Sequence, residues 1–176
     1  MLTLTASLLA LTTHAADEPA TLDCLNDGPS TACTAQLAHL EGEAVDWRQW
    51  EERLDRAVRL DAPPIARVRA EELASGIDTF FLPRTFAVEG VHELLAILRV
   101  PDPQDPLQQL GRHLLTAELN WLDDTRLDNE DLHLHLLMKG EALMARAQAG
   151  PVDTVEVLRT ARTLAALNRT GVVRPD

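Results

Sequence analysis

Apolar residues recur at steps of three and four along the chain after residue 44, which predicts a series of amphipathic helices. The clearest stripe lies in residues 44–60, where charged residues fill the opposite face. The proline pair at 63–64 ends this helix, because proline lacks a backbone donor and restricts the residue before it. The stripe consists of Trp47, Trp50, Leu54, Ala57 and Val58.

A second helix is predicted over residues 64–74, with Ile65, Val68 and Leu73 facing inward and Gly76 just beyond its end. The next stretch, residues 79–88, has a β-like pattern and contains all three phenylalanines of the chain. We expect it to form a small hairpin or an extended apolar connector that plugs one end of the helical core.

Four further helices are predicted in the remaining chain. Asp105 precedes Pro106, the arrangement of an N-cap residue followed by proline in the first helical position. Asp153 similarly precedes the last helix, which Gly171 closes. The first three of these helices cover residues 91–98, 107–122 and 129–147, and the last lies between its cap Asp153 and Gly171.

The helix over 129–147 is apolar around nearly its whole circumference, a pattern typical of a central helix. We therefore expect it to occupy the middle of the molecule, with Leu136 or Leu143 deeply buried. Aromatic residues are few (three Trp, three Phe, no Tyr), so Leu, Ala and Val must build the core. Leu and Ala favour helices over strands.

These patterns predict an all-α fold: an irregular multi-helix bundle with a short β-like connector and an N-terminal disulfide loop. The predicted organisation has three parts. Residues 1–15 form a signal peptide, residues 16–33 an exposed segment with the disulfide loop, and residues 34–176 a single helical domain.

The signal peptide is inferred from an uncharged apolar run at residues 2–11 and from small residues at Ala15 and Ala16, near which cleavage is expected. The run is too short for a bilayer span, so the mature chain is expected to carry no transmembrane segment. No positive charge precedes the run, and the alternative is a buried N-terminal helix. Export predicts a secreted, periplasmic or cell-surface bacterial protein.

Cys24 and Cys33 flank turn-forming residues, which lets the chain fold back between them. An isolated cysteine pair in an exported chain indicates a disulfide. Two thiols alone make a poor zinc site, and the spacing is not that of a C-x-x-C redox motif.

The formal charge is −12, from 16 basic and 28 acidic residues. Strong negative charge argues against nucleic acid and against anionic membrane surfaces as partners. Solubility explains this charge, with cation binding as the alternative. Asp123, Asp124 and Asp128 are the candidate Ca²⁺ ligands, although the spacing is not that of an EF-hand. The neighbouring Glu130 and Asp131 equally suit a helix N-terminus.

Other candidate chemistry is weak. His133 and His135 point in opposite directions on a helix, so a metal site would need His113 from another helix; the alternative is partly exposed histidines at helix edges. Tryptophans beside a carboxylate pair would suit sugar chemistry, but Trp47 and Trp50 lie on the core stripe. No nucleophile elbow, phosphate loop or dinucleotide fingerprint is present, and we expect no cofactor.

Three segments together resemble a helical module of large secreted bacterial surface proteins. They are ELLAILRVP at 93–101, LGRHLLTAELN at 110–120 and LAALNRTG at 164–171, within a stretch of about 82–171. The resemblance implies an extracellular accessory or structural segment and supplies no activity that could be carried over to this chain.

The sequence therefore predicts an exported, non-enzymatic helical interaction or structural module, whose partner is a protein or an extracellular surface component. The alternative is a secreted hydrolase or enzyme inhibitor. A deep pocket lined by carboxylates or histidines would favour the alternative. An exposed apolar groove or patch would favour partner binding.

Overall fold

The computed structural model describes residues 45–80, 85–86, 88–101, 104–123 and 130–170. Every regular element in these residues is a helix, which confirms the all-α class. The predicted signal peptide and the Cys24–Cys33 loop lie outside the described residues, and the described part of the β-like connector contains no strand. The helices are α1 (Trp47–Val58), α2 (Pro64–Asp78), α3 (Val91–Leu98), α4 (Pro106–Leu122), α5 (Glu130–Ala149) and α6 (Thr154–Thr170).

Side-chain caps set the starts of three helices. At α1 the Asp46 carboxylate accepts from the backbone N–H of Gln49 (3.0 Å), and the Gln49 side chain accepts from the Asp46 N–H (2.9 Å). This capping box satisfies donors that a helix start otherwise leaves open. The predicted caps at α4 and α6 are confirmed, since Asp105 and Asp153 accept from the N–H two residues on, at 3.3 and 2.8 Å.

α2 differs from its prediction in length and in its inward face. Ile65 and Val68 are 75% and 53% exposed, so their predicted inward orientation is wrong, whereas Leu73 is buried as expected. Gly76 does not end the helix, which continues to Asp78. Instead, Gly76 lies at the contact between α2 and α4. A Cβ at that position would lie 2.9 Å from Cδ1 of Leu122, so the bare backbone lets α4 approach.

The central helix is α4, and the prediction that 129–147 would be central is wrong. α4 packs on each of the other five helices, and every residue over 110–120 except His113 is buried. α5 packs chiefly on α4 and α6, and its other side leaves Met138 53% exposed. Deep burial of Leu136 and Leu143 is nevertheless confirmed, at 1% exposure each.

A buried amide network ties α1, α4 and α6 together. The Trp50 Nε1–H donates to Oδ1 of Asn120 at 2.7 Å, and Nδ2 of Asn120 donates to the Val45 carbonyl at 3.1 Å and to Oδ1 of Asn168 at 3.4 Å. Nδ2 of Asn168 in turn donates to the His113 carbonyl at 2.9 Å. Asn168 begins an N-x-T sequence, and its own side chain is only 3% exposed.

Candidate functional site

An apolar cleft of about 240 Å³ opens between α3, α4 and α5. Gly111 forms part of its wall: a Cβ there would lie 3.6 Å from Cε1 of Phe86 and 3.7 Å from Cε of Met144. These two side chains therefore rest almost directly on the α4 backbone. Asp105 supplies the one carboxylate of the described lining, and it is exposed. The lining is Phe86, Ile97, Val100, Asp105, Leu107, Gln108, Gly111 and Met144.

A second apolar surface lies at the turn between α1 and α2. Leu60, Ile65 and Val68 are its members, and Leu60 is almost completely exposed. We call these three residues the aliphatic patch. Beside it runs a depression of about 210 Å³, which is lined by Arg59, Arg67 and other polar residues together with apolar ones. The cleft is the more apolar of the two surfaces.

Two glutamates meet in the core where α4 packs on α5. Glu118 is 0% exposed and Glu141 is 1% exposed. Among the described residues no donor reaches either oxygen of Glu118, whereas Oε2 of Glu141 accepts from the Thr85 hydroxyl at 3.1 Å. Burial, and then the like charge of Glu141, raises the pKa of Glu118 well above its usual value of 4.5. Neither glutamate was a candidate on sequence grounds.

The histidines of α5 point apart, as predicted. His135 is exposed, whereas His133 is buried with its ring edge-on to Trp121, at 5.1 Å between centroids. The expectation of a partly exposed helix-edge histidine is therefore wrong for His133, because its side of α5 faces α4. In the parts of the chain that the structure describes, no three His, Cys, Asp or Glu side chains lie close enough to share a metal ion.

Burial, together with nearby Arg112 and Arg169, lowers the pKa of His113 to about 4. Burial lowers the pKa of His133 to about 3, against the opposing effect of the Ala117 backbone. Both pKa values lie below the ordinary 6.5, so below pH 6.5 the unfolded chain binds protons that the folded protein does not. The stability from the two neutral rings is therefore fully present above pH 6.5 and is lost as the pH falls towards the folded-state pKa values.

Replacing His133 by phenylalanine should therefore reduce the acid sensitivity of the fold. Relative to the variant, the unaltered protein should lose about 1.4 kcal/mol of unfolding free energy for each pH unit between 6.5 and 4. Urea denaturation across this range measures the difference, with His135→Phe on the exposed side of α5 as the matched control. A constant difference between His133→Phe and the unaltered protein would show that His133 titrates normally in the folded state.

The predicted Ca²⁺ cluster is described only in part. Asp123 closes α4 and pairs with two guanidinium groups, at 3.4 Å from Arg53 and 3.2 Å from Arg69. These ion pairs join the middle of α1 and the first half of α2 to the end of α4. Asp124 and Asp128 lie outside the described residues.

The tryptophans of α1 act mainly in packing. Trp50 is buried, as its place on the apolar stripe predicted. Trp47 is half-buried, and the guanidinium groups of Arg48 and Arg112 lie 4.8 and 4.4 Å from its ring centroid. These cation–π contacts cover the ring that a sugar platform would need to expose.

Comparison with protein families, with curated proteins and with solved structures finds no match for this chain. Within the described residues, none of the helices combines the length and the apolar character that crossing a membrane requires.

Proposed function

We propose that this protein is an exported, non-enzymatic helical module that binds a partner protein through the cleft between α3, α4 and α5. The observation that carries the proposal is the cleft itself, a concave apolar surface of about 240 Å³. Apolar concavities with a few polar groups at the edge are typical of binding sites. The aliphatic patch is a second exposed apolar area, of the kind that partner proteins cover.

The charge of the chain indicates the chemistry of the partner. The net charge is −12, and the carboxylate of Asp105 lies at the edge of the cleft. A partner that places an apolar side chain in the cleft and a lysine or arginine beside it would match both features. The cleft has room for one large aliphatic or aromatic side chain, which would act as the anchor of the interface.

Export is part of the proposal and rests on the N-terminal sequence. The apolar run at residues 2–11, the small residues that follow and the Cys24–Cys33 pair are typical of an exported chain with one disulfide. The resemblance of about 82–171 to a module of secreted surface proteins supports the same compartment. A secreted or surface-bound protein is the partner that we expect to meet there.

The alternative, a secreted hydrolase or enzyme inhibitor, would use convergent carboxylates or imidazoles in an open pocket. Glu118, Glu141 and His133 instead lie in the core, each at 1% exposure or less. Glu118, whose pKa is raised, and His133, whose pKa is lowered, are therefore away from the cleft lining, which supports binding over acid–base catalysis.

Selection from a random peptide library displayed on phage tests the proposal on the mature protein. We expect enrichment of peptides with one large apolar residue next to lysine or arginine. Gly111→Val should weaken the binding of enriched peptides at least tenfold, because its extra methyl groups enter the cleft between Phe86 and Met144, whose side chains already lie 3.6 and 3.7 Å from a Cβ.

Two further variants make the selection decisive. Val100→Asp places a carboxylate in the apolar lining and should also weaken binding at least tenfold, which keeps the test informative if Gly111→Val folds poorly. Gly150→Ala is the matched control, since a Cβ there would meet no atom within 4 Å. Enriched peptides that bind all three variants equally well would refute the cleft as the binding site.

A further inference from the structure

Residue 85 is fastened to α5 by two hydrogen bonds. The Thr85 hydroxyl donates to Oε2 of Glu141 at 3.1 Å, and Nε2 of Gln148 donates to the Thr85 carbonyl at 3.4 Å. The next residue, Phe86, is buried and lines the cleft, as does Met144 from α5. The position of α5 therefore determines one whole side of the cleft.

Glu118 lies where α4 holds α5. Its carboxyl group is completely enclosed, and among the described residues no donor reaches either oxygen. Its neighbour is the carboxyl group of Glu141, within hydrogen-bonding reach and of the same charge type. A protonated Glu118 can donate its O–H to Glu141, whereas an ionised Glu118 would be a buried charge facing a second acid. An unpaired charge of this kind is among the costliest groups that a core can contain.

We propose that Glu118 is a proton-operated latch: when protonated it holds α5 and Thr85 against α4, and when ionised it releases them. Other contacts, which do not involve α5, hold the rest of the bundle together. The amide network around Asn120 joins α1, α4 and α6 without using α5. Release of α5 would therefore remove Phe86 and Met144 from the cleft while leaving that network in place.

The latch links proton binding to the opening of α5. In the released state Glu118 is in water and has its ordinary pKa of 4.5, whereas in the closed state its pKa is far higher. The opening equilibrium should therefore rise by about tenfold for each pH unit above 4.5, until Glu118 ionises in the closed protein as well. His133, which lies on α5 itself, acts in the opposite direction below pH 6.5 because burial lowers its pKa to about 3.

Amide hydrogen exchange of α5 between pH 5 and 9 tests the latch. The measurement compares the mature protein with Glu118→Gln, which keeps the shape of the side chain and cannot ionise. Because His133 is present in both proteins, its effect on protection cancels in this comparison. After correction for the intrinsic exchange rate, protection of α5 in the unaltered protein should fall relative to the variant by about tenfold per pH unit over the titrating range. Protection of α1 should stay the same in both proteins.

Glu156→Gln is the matched control, since Glu156 is also a helical glutamate but forms a surface ion pair with Arg146. A constant ratio of α5 protection, or a parallel loss of protection in α1, would overturn the proposal. If Glu118→Gln does not fold, the carboxyl ¹³C shift of Glu118 in the unaltered protein decides instead. It should report the protonated form at pH 6, and an ionised group at that pH would refute the latch.

Regulation of partner binding by this latch rests on the function proposed above for the cleft. The exchange experiment uses no partner, so it can fail while peptides still bind the cleft. It can also succeed if no peptide is ever selected.

Discussion

Replacing Leu136 by alanine should lower the free energy of unfolding by about 2–5 kcal/mol, the range for deleting a large side chain from a packed core. Leu136 is 1% exposed, and it lies on the side of α5 that packs into the bundle. The loss would be a large part of the roughly 5–15 kcal/mol that stabilises an ordinary domain. Urea denaturation followed by circular dichroism measures it.

Met138→Ala is the matched control for this change. It removes a side chain of similar size from the same helix two residues further on, where the residue is 53% exposed. We expect it to change stability by about 0.5 kcal/mol or less. Equal effects of the two substitutions would mean that α5 does not pack as described.

Replacing Asn120 by alanine should cost about 2–4 kcal/mol, because one side chain serves partners from three parts of the fold. The substitution leaves the Trp50 Nε1–H, the Val45 carbonyl and Oδ1 of Asn168 each without that amide. A buried polar group that loses its partner costs about 1–3 kcal/mol, and the longest of these contacts, at 3.4 Å to Asn168, contributes least.

A double-mutant cycle with Trp50→Phe isolates the shortest bond of the network, at 2.7 Å. The two changes should be non-additive by about 1 kcal/mol or more, since each removes the same hydrogen bond. Trp47→Phe is the control from the same helix, and its effect should add to that of Asn120→Ala. Strict additivity of Trp50→Phe with Asn120→Ala would contradict the network.

Local signals predicted the helices well. The start of α4 follows from the Asp105 side chain, which caps the helix, and from the fixed backbone angle of Pro106. Both effects act within one helical turn. The bounds of α3 were predicted to the residue, and the buried stripe of α1 was correct for Trp50, Leu54 and Ala57. Each of these features depends on residues that are close together in the chain.

Predictions that depended on distant contacts were less successful. α4 was not recognised as central because Thr116, Glu118 and Asn120 made it look half-polar, yet all three are buried. The Asn120 amide is satisfied by residues up to 75 positions away. The pattern of α5 indicated burial all round, but the partners that would cover Met138 are missing from the described bundle.

The cleft could not be derived from periodicity, because its walls come from three helices and from residue 86. One sequence signal was available: Gly111 stands inside the predicted helix, and such a glycine often marks a close approach. The pairing of Glu118 with Glu141 likewise depends on how α4 and α5 align, which single-helix patterns do not specify.

The most direct test of the binding proposal follows the methionine methyl groups by ¹³C NMR as a selected peptide is added. The Met144 methyl lies against the cleft, whereas Met138 is 53% exposed elsewhere on α5. If the cleft is the binding site, the Met144 signal shifts with saturation and the Met138 signal stays in place. A peptide that binds while leaving the Met144 signal unchanged would contradict the proposal.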